Sequence, residues 1–525
     1  MMSKIKNIIL FAIILILLVF TRYVNISWGF PYLFHPDERN IVVSLEQFQC
    51  PNILNFKECL NPHFFAYGQF FPYLGYFFKL ITHTSSFSDL VLILRFLSTV
   101  FSIFSVYVGF LIIKELTEGY IKKYSKHTIE FGGLMTLIFS PALIQIAHFG
   151  TTESILAFFY AVQTYISILF IRKKINPFNF LTGSSVILGL SVATKVSSLI
   201  FLFVPLIALF LAKEVKVKKK ILYFLHITFF TFVTALIFSP HYLISYKEFL
   251  SSLNYESAVA LGRIKVFYTR QFEMSVPIVF QVFKIFPYAL GIPAFIFFIF
   301  GTLFLPKKIE FNFLKLAFFS YFIPTSFLYA KWTRFMAPVF LLMIVVSYIF
   351  LLNLFSKYIK SESFRKIFFW ISILIIIIPG VLFANVYLKS DTRVQASNWI
   401  IKKIPNNSLI LSETGNVVDI PVGDRKGNNY EVISFNLYDI DSDSELYSRL
   451  LKDIERADYI IVPSRRIFAS HNKKLFPKVN KYYEDLFNDK LGFKKVAEFK
   501  TLNDEFAEET FSVFDHPVVR IYKRI

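Results

Sequence analysis

Apolar residues gather in blocks of about twenty along the first three-quarters of the chain and then, from residue 390, break into short alternating segments. Blocks of that length match what a helix needs to cross a hydrocarbon core of roughly 30 Å. They predict spans at 7–24, 89–113, 131–147, 153–171, 179–194, 197–212, 221–239, 288–305, 311–330, 335–354 and 367–385, about eleven in all. The weakest is 179–194, which carries Gly183, Gly189 and several hydroxyls. The first block, Ile8 to Phe20, follows Lys4 and Lys6 much as in a signal peptide. It is followed by Thr21-Arg22-Tyr23-Val24, with no small-residue cleavage site, and so reads as a retained span.

The loop 25–88 is too long to be a mere connector. Its pieces Ile41–Phe48 and Phe64–Ile81 are rich in aromatics with scattered polar positions, the pattern of helices lying in the membrane interface. Both cysteines, Cys50 and Cys59, fall in this loop, and a disulfide and a pair of free thiols are equally open from spacing alone. The tail alternates β-type runs at Leu409–Ser412, Tyr430–Phe435, Tyr459–Val462, Lys495–Phe499 and Val518–Tyr522 with amphipathic stretches such as Ser444–Arg456. The expected organisation is a membrane-embedded part, 1–385, followed by a small α/β domain, 386–525.

Composition agrees, with 55% hydrophobic and 19% aromatic residues, including 67 Phe, against 18% charged. The net charge of +20 is unevenly spread. Residues 1–385 hold 34 basic and 15 acidic side chains, whereas 386–525 hold 22 and 21. An excess confined to the membrane half points to topology and to membrane lipids as partners rather than to nucleic acid. With the N-terminus inside, the inner loops collect twenty basic residues against six acids. That places 25–88, 240–287 and the tail outside, as in a multi-pass plasma-membrane protein with a cytoplasmic N-terminus and an extracytoplasmic C-terminal domain.

Candidate chemistry clusters on that outer face. Phe34-His35-Pro36-Asp37-Glu38-Arg39-Asn40 sets two adjacent carboxylates beside a Pro-fixed turn, and crowded like charges near a low dielectric suit one of them to general-base work. Asp37 capping the following helix explains the same residues slightly better from spacing alone. Glu153, in His148-Phe149-Gly150-Thr151-Thr152-Glu153, starts the fourth span, where an acid faces either a polar cavity or a solvated helix N-terminus. Bases that defy the inside bias, Lys195, Arg263, Lys265, Arg270, Lys331 and Arg334, fit an anionic phosphate at head-group level, with snorkelling as the plainer account of some.

The acidic pair after the first span, Thr152-Glu153, Gly189-Leu190-Ser191-Val192-Ala193-Thr194-Lys195, and Arg334-Phe335 followed by Pro338 together resemble the GT-C membrane glycosyltransferases that use polyprenyl-phosphate sugars. The branch is the one containing protein O-mannosyltransferases and the lipid A aminoarabinose transferase. In the lipid A branch an Arg tends to stand three residues after the Asp. Here that place is Asn40, and the Arg is Arg39.

The resemblance implies inverting transfer from a polyprenyl-phosphate sugar to a glycan, lipid or protein acceptor. Asp37 would be the base, and Glu38 and Glu153 would shape the acceptor side. Lys195, Arg334 and also Arg263, Arg270 or Lys331 would hold the lipid phosphate, with His35, Arg39 and His148 as further candidates. Some members of the family use a divalent cation, which the acids could bind through oxygen. A transporter or flippase for a lipid-linked glycan and a non-catalytic scaffold for surface polymer assembly are the rival readings, although no internal repeat of the transporter kind is present.

Overall fold

The computed structural model describes residues 2–50, 52, 55, 57–414, 419–422 and 429–525, and the side chains of the first helix from residue 9 onward, so Lys4 and Lys6 lie outside the described side chains. Each block expected to span coincides with a helix or a helix pair. Six helices are long and apolar enough to cross a membrane among the described residues: Phe87–Thr117, Glu153–Ile171, Pro177–Thr194, Val217–Phe238, Thr333–Tyr358 and Glu362–Leu388. A seventh span is counted if the pair Lys126–Ile138 and Pro141–Ala147, bent by 57°, is taken as one. The rest are shorter, Ile9–Tyr23, Val196–Leu211 and Ile292–Phe304, or, like Ile309–Ser326, fall outside those limits.

Burial follows composition. The helix Ala337–Tyr358 is apolar all round and almost wholly buried, as a helix at the centre of a bundle should be. Val217–Phe238 buries little and exposes Phe229 and Phe232 on the outside. The bend ahead of Pro141 leaves helical carbonyls without partners. Arg22, fully buried, supplies them by donating to the carbonyls of Ile138 at 2.6 Å and Leu137 at 3.1 Å, and its Nε bonds the Ser102 hydroxyl at 3.1 Å. At one end of the bundle Arg172 meets Glu115 at 2.9 Å and Glu310 at 3.2 Å, which brings together three loops expected on the same side.

In the loop after the first span, helices cover Pro36–Glu46 and Phe70–Thr82, so both interfacial stretches are helical with shifted bounds. Pro36 sets the earlier start, because Pro is pre-organised for the first helical position and loses no bond there. The second helix starts late because Gly68 is strapped to another element, its N–H donating to the Thr194 carbonyl at 2.9 Å. A Cβ there would lie 2.0 Å from the Ala193 carbonyl oxygen, so only glycine fits. Cys50 and Cys59 form a disulfide.

The tail is a five-stranded mixed sheet of β1 (Leu409–Glu413), β2 (Glu431–Phe435), β3 (Tyr459–Val462), β4 (Phe493–Phe499) and β5 (Val519–Arg524), in the order β2-β1-β3-β5-β4. The first three pair in parallel, and β5 runs antiparallel to both β3 and β4. All five expected β-runs are strands, and Ser444–Arg456 is a helix. The tail does not stand apart from the bundle. Its segment 504–516 reaches the membrane half, where Gln145 donates to the Phe511 carbonyl at 2.7 Å and Tyr387 to Asp515 at 2.9 Å.

Candidate active site

A cavity of about 540 Å³ opens where the helix Pro36–Glu46, the starts of Glu153–Ile171 and Thr333–Tyr358, and the break between Pro177–Thr194 and Val196–Leu211 converge. Asp37, Glu153, Lys195 and Arg334 line it together with Asn40, Tyr67, Glu256 and Trp332. The roof comes from the tail, through Arg466, Thr510 and Phe514.

Asp37 sits in the first helical turn and pairs with the Arg334 guanidinium. Burial pushes its carboxyl up, but Arg334, with Lys195 and the Tyr67 hydroxyl, outweighs that and holds it below the usual carboxylate range. Burial also keeps the Tyr67 hydroxyl protonated, hence a donor to Asp37. Gly68, strapped to Thr194, delivers Tyr67 to this place, so the same contact sets Tyr67 beside Lys195, whose Nζ lies 5.1 Å from the tyrosine ring. Glu153 faces Lys195 at 3.8 Å, and burial lowers the lysine's pKa. Arg334 stacks over Trp332 at 4.8 Å, and its buried Nε has no hydrogen-bond partner among the described residues. Glu256 hangs over the same space from the helix Tyr246–Ala260, its carboxyl raised by burial.

Other expected site residues are placed elsewhere. Glu38 is fully buried and clamped by Arg95 through bonds of 2.7 and 2.8 Å, with the Gly150 N–H donating to it at 2.7 Å, so it fixes the fold behind Asp37 and is not free to polarise an acceptor. Arg270 belongs to the junction with the tail, contacting the Tyr438 carbonyl and Asp439 rather than the cavity. Lys331 is buried and donates to the Tyr329 carbonyl at 3.0 Å, and Arg263 is exposed away from the cavity. Arg39 does not line it either. His148 stacks on Tyr387 at 3.6 Å and bonds two carbonyls. His35 lies between Phe149 and Phe514, lining a small space that shares Glu153 and Arg334 with the cavity, and burial keeps its imidazole neutral.

Reasoning from sequence overlooked Tyr67, Arg95, Glu256 and Arg466. Arg95 had a legible signal, since an arginine inside a predicted span calls for a buried partner. Tyr67 and Arg466 had none, because each reaches the cavity through tertiary contact alone.

The roof is held by buried charge. Glu508 accepts from the Thr333 N–H at 2.9 Å and hydroxyl at 2.8 Å, next to Arg334 in the chain. His516 lies between Asp504, at 2.5 Å, and Asp515; burial lowers its pKa, but the two carboxylates outweigh this and raise it to about 10. The stability this cation contributes is complete below its unfolded pKa near 6.5 and is lost as pH rises through about 10. His516→Gln leaves two buried carboxylates facing a neutral side chain, a loss on the order of 3 kcal/mol. Amide protection across 504–516, relative to the base-catalysed intrinsic exchange rate, is expected to fall in the variant at pH 7, and in the wild type only towards pH 10; unchanged protection in both would remove His516 from the account of the roof.

No protein-family model matches the chain, and no curated protein matches it in sequence. Its structure is similar to that of the archaeal oligosaccharyltransferase AglB from Archaeoglobus fulgidus, solved with an inhibitory peptide and a dolichol-phosphate: TM-score 0.55, 13% identity, covering 91% of this chain and 72% of that one. It is also similar to ArnT from Cupriavidus metallidurans bound to undecaprenyl phosphate, with a TM-score of 0.52 and 10% identity over 98% of both chains. The chain is a multi-pass membrane protein with the GT-C fold of these glycosyltransferases.

Proposed function

We propose that the cavity transfers a sugar from a polyprenyl phosphate to a hydroxyl of a glycan, lipid or protein acceptor at the outer face of the plasma membrane. The observation that carries this reading is the meeting, in one cavity, of an acid paired with Arg334 and a second cation, Lys195, both cations being suited to phosphate. The AglB and ArnT structures each hold a polyprenyl phosphate, which supports such a donor. In this reading the chain crosses the membrane about eleven times, and residues 386–525 stand outside as a domain over the site.

The acceptor hydroxyl gives its proton to the Asp37 carboxylate while its oxygen forms the new bond to the anomeric carbon. The bond from that carbon to the phosphate oxygen breaks on the opposite face, and the electron pair stays on the phosphate. The new charge falls to Arg334 and Lys195. Arg334 is bound to Asp37, but its Nε is unspent, so a phosphate gains a partner there and at the same time loosens the guanidinium's hold on the base. Glu153 keeps Lys195 in place and Glu256 faces the acceptor.

A divalent cation finds little welcome in this donor set. Asp37 and Glu153 each already face a cation of the protein, and no three His, Cys, Asp or Glu side chains group as a metal site among the described residues. No step is assigned to a metal.

The test is to reconstitute the protein with a panel of polyprenyl-phosphate sugars and follow release of free polyprenyl phosphate and transfer of sugar. Arg334→Gln is expected to lower kcat/KM by about 10²–10³-fold, with Arg334→Lys in between. Movement of the intact lipid-linked sugar across the bilayer with no bond broken would replace transfer by flipping.

A further inference from the structure

The tail contributes one charged side chain to the cavity for which the transfer reaction above has no use. Arg466 follows β3, at the carboxyl end of a parallel strand, which is the edge where open α/β sheets place their ligands. It lines the cavity while being only 6% exposed. Its Nε and Nη1 have no hydrogen-bond partner among the described residues. The neighbouring Arg465, by contrast, spends its guanidinium on the Glu505 and Ala507 carbonyls and simply staples the roof.

The nearest acid to Arg466 is Glu509, 3.3 Å from Nε, an ion-pair contact without hydrogen-bond geometry, and Glu509 Oε1 is itself unpartnered among the described residues. Burial raises the Glu509 carboxyl to about 7, so this acid supplies only part of a counter-charge at neutral pH. Phe267, whose ring lies 5.9 Å away, adds a weak cation–π contact. A buried, under-compensated guanidinium is costly and is retained most readily where an anion arrives to meet it.

The position decides which anion. In the proposed reaction the lipid phosphate falls to Lys195 and Arg334, on elements of the bundle, whereas Arg466 descends from the roof, where Thr510 also lines the cavity. We propose that Arg466 is a specificity residue for the acceptor and binds a carboxylate or phosphate that the acceptor carries away from its reacting hydroxyl. This rests on the reading of the cavity as a glycosyl-transfer site.

The experiment uses the full-length protein in detergent with Lys195 and Arg334 first saturated by undecaprenyl phosphate. A disaccharide ending in glucuronic acid, its phosphorylated counterpart ending in glucose 6-phosphate, and the neutral disaccharide ending in glucose are then titrated, with intrinsic tryptophan fluorescence and calorimetry as readouts. The wild type is expected to bind at least one anionic disaccharide about 10-fold or more tighter than the neutral one. Which of the two binds tighter separates carboxylate from phosphate. Arg466→Gln should erase that preference, Arg466→Lys should keep part of it, and neither should change undecaprenyl phosphate affinity more than about twofold. Equal binding of all three disaccharides by the wild type would overturn the proposal, as would loss of undecaprenyl phosphate affinity in Arg466→Gln, which would move the residue to the donor. Failure of undecaprenyl phosphate to bind the wild type at all would instead overturn the transfer reading and this one with it.

Discussion

Asp37→Asn is expected to lower sugar transfer by about 10³-fold or more while leaving the protein folded. The substitution keeps the shape of the side chain and its capacity to accept from Tyr67, but it removes the carboxylate proposed to take the acceptor's proton. Part of the loss comes from that proton. A further part comes from Arg334, whose charge is left without its carboxylate and settles more firmly on the donor phosphate, so polyprenyl phosphate should bind the variant at least as tightly as the wild type. Tight binding with no turnover is the signature that separates a lost base from a collapsed site. The wild-type rate should also hold steady as pH falls towards 5, because Asp37 is kept ionised below the ordinary carboxylate range. Equal release of polyprenyl phosphate by wild type and variant would remove Asp37 from the role of base.

The neighbouring carboxylate should fail differently. Glu38→Gln or Arg95→Met is expected to destabilise the protein by about 3–5 kcal/mol, because each leaves one buried charge without its partner. The defect should show as a lower yield of folded protein and a lower melting temperature in detergent, with activity per folded molecule far less reduced than in Asp37→Asn. The pair replaced together, Glu38→Leu with Arg95→Met, should recover part of the stability, since an apolar pair leaves no unbalanced charge. If Glu38→Gln instead melted like the wild type and lost turnover, Glu38 would return to the chemistry.

These two adjacent acids show how far a sequence can be read. Their place at the head of a helix followed from Pro36. Their division of labour did not, because it depends on Arg95 and Gly150, which are 57 and 112 residues from Glu38 along the chain and meet it only after the bundle has packed. The bases behaved the same way. Lys195 and Arg334 each interrupt apolar helix and proved to line the cavity, whereas Arg270 and Lys331, on the same side by charge counting, were taken up by backbone carbonyls and by the tail. The five strands were legible because alternation is local. Their docking on the membrane half, and with it Arg466, was not, since no local pattern reports which edge of a sheet meets another element.

The roof formed by residues 504–516 also sets an order of events during biogenesis. Asp37, Glu153, Lys195 and Arg334 all precede this segment in the chain, so a ribosome has made them well before it reaches the roof. Until Glu508 grips Thr333 and Phe514 closes over His35, the cavity is open to water from above. A nascent chain therefore carries these groups uncovered, and under the proposed transfer reaction an activated sugar reaching them would meet water as readily as an acceptor. In that reading the tail excludes water, and the cavity favours its acceptor over water only once the chain is finished.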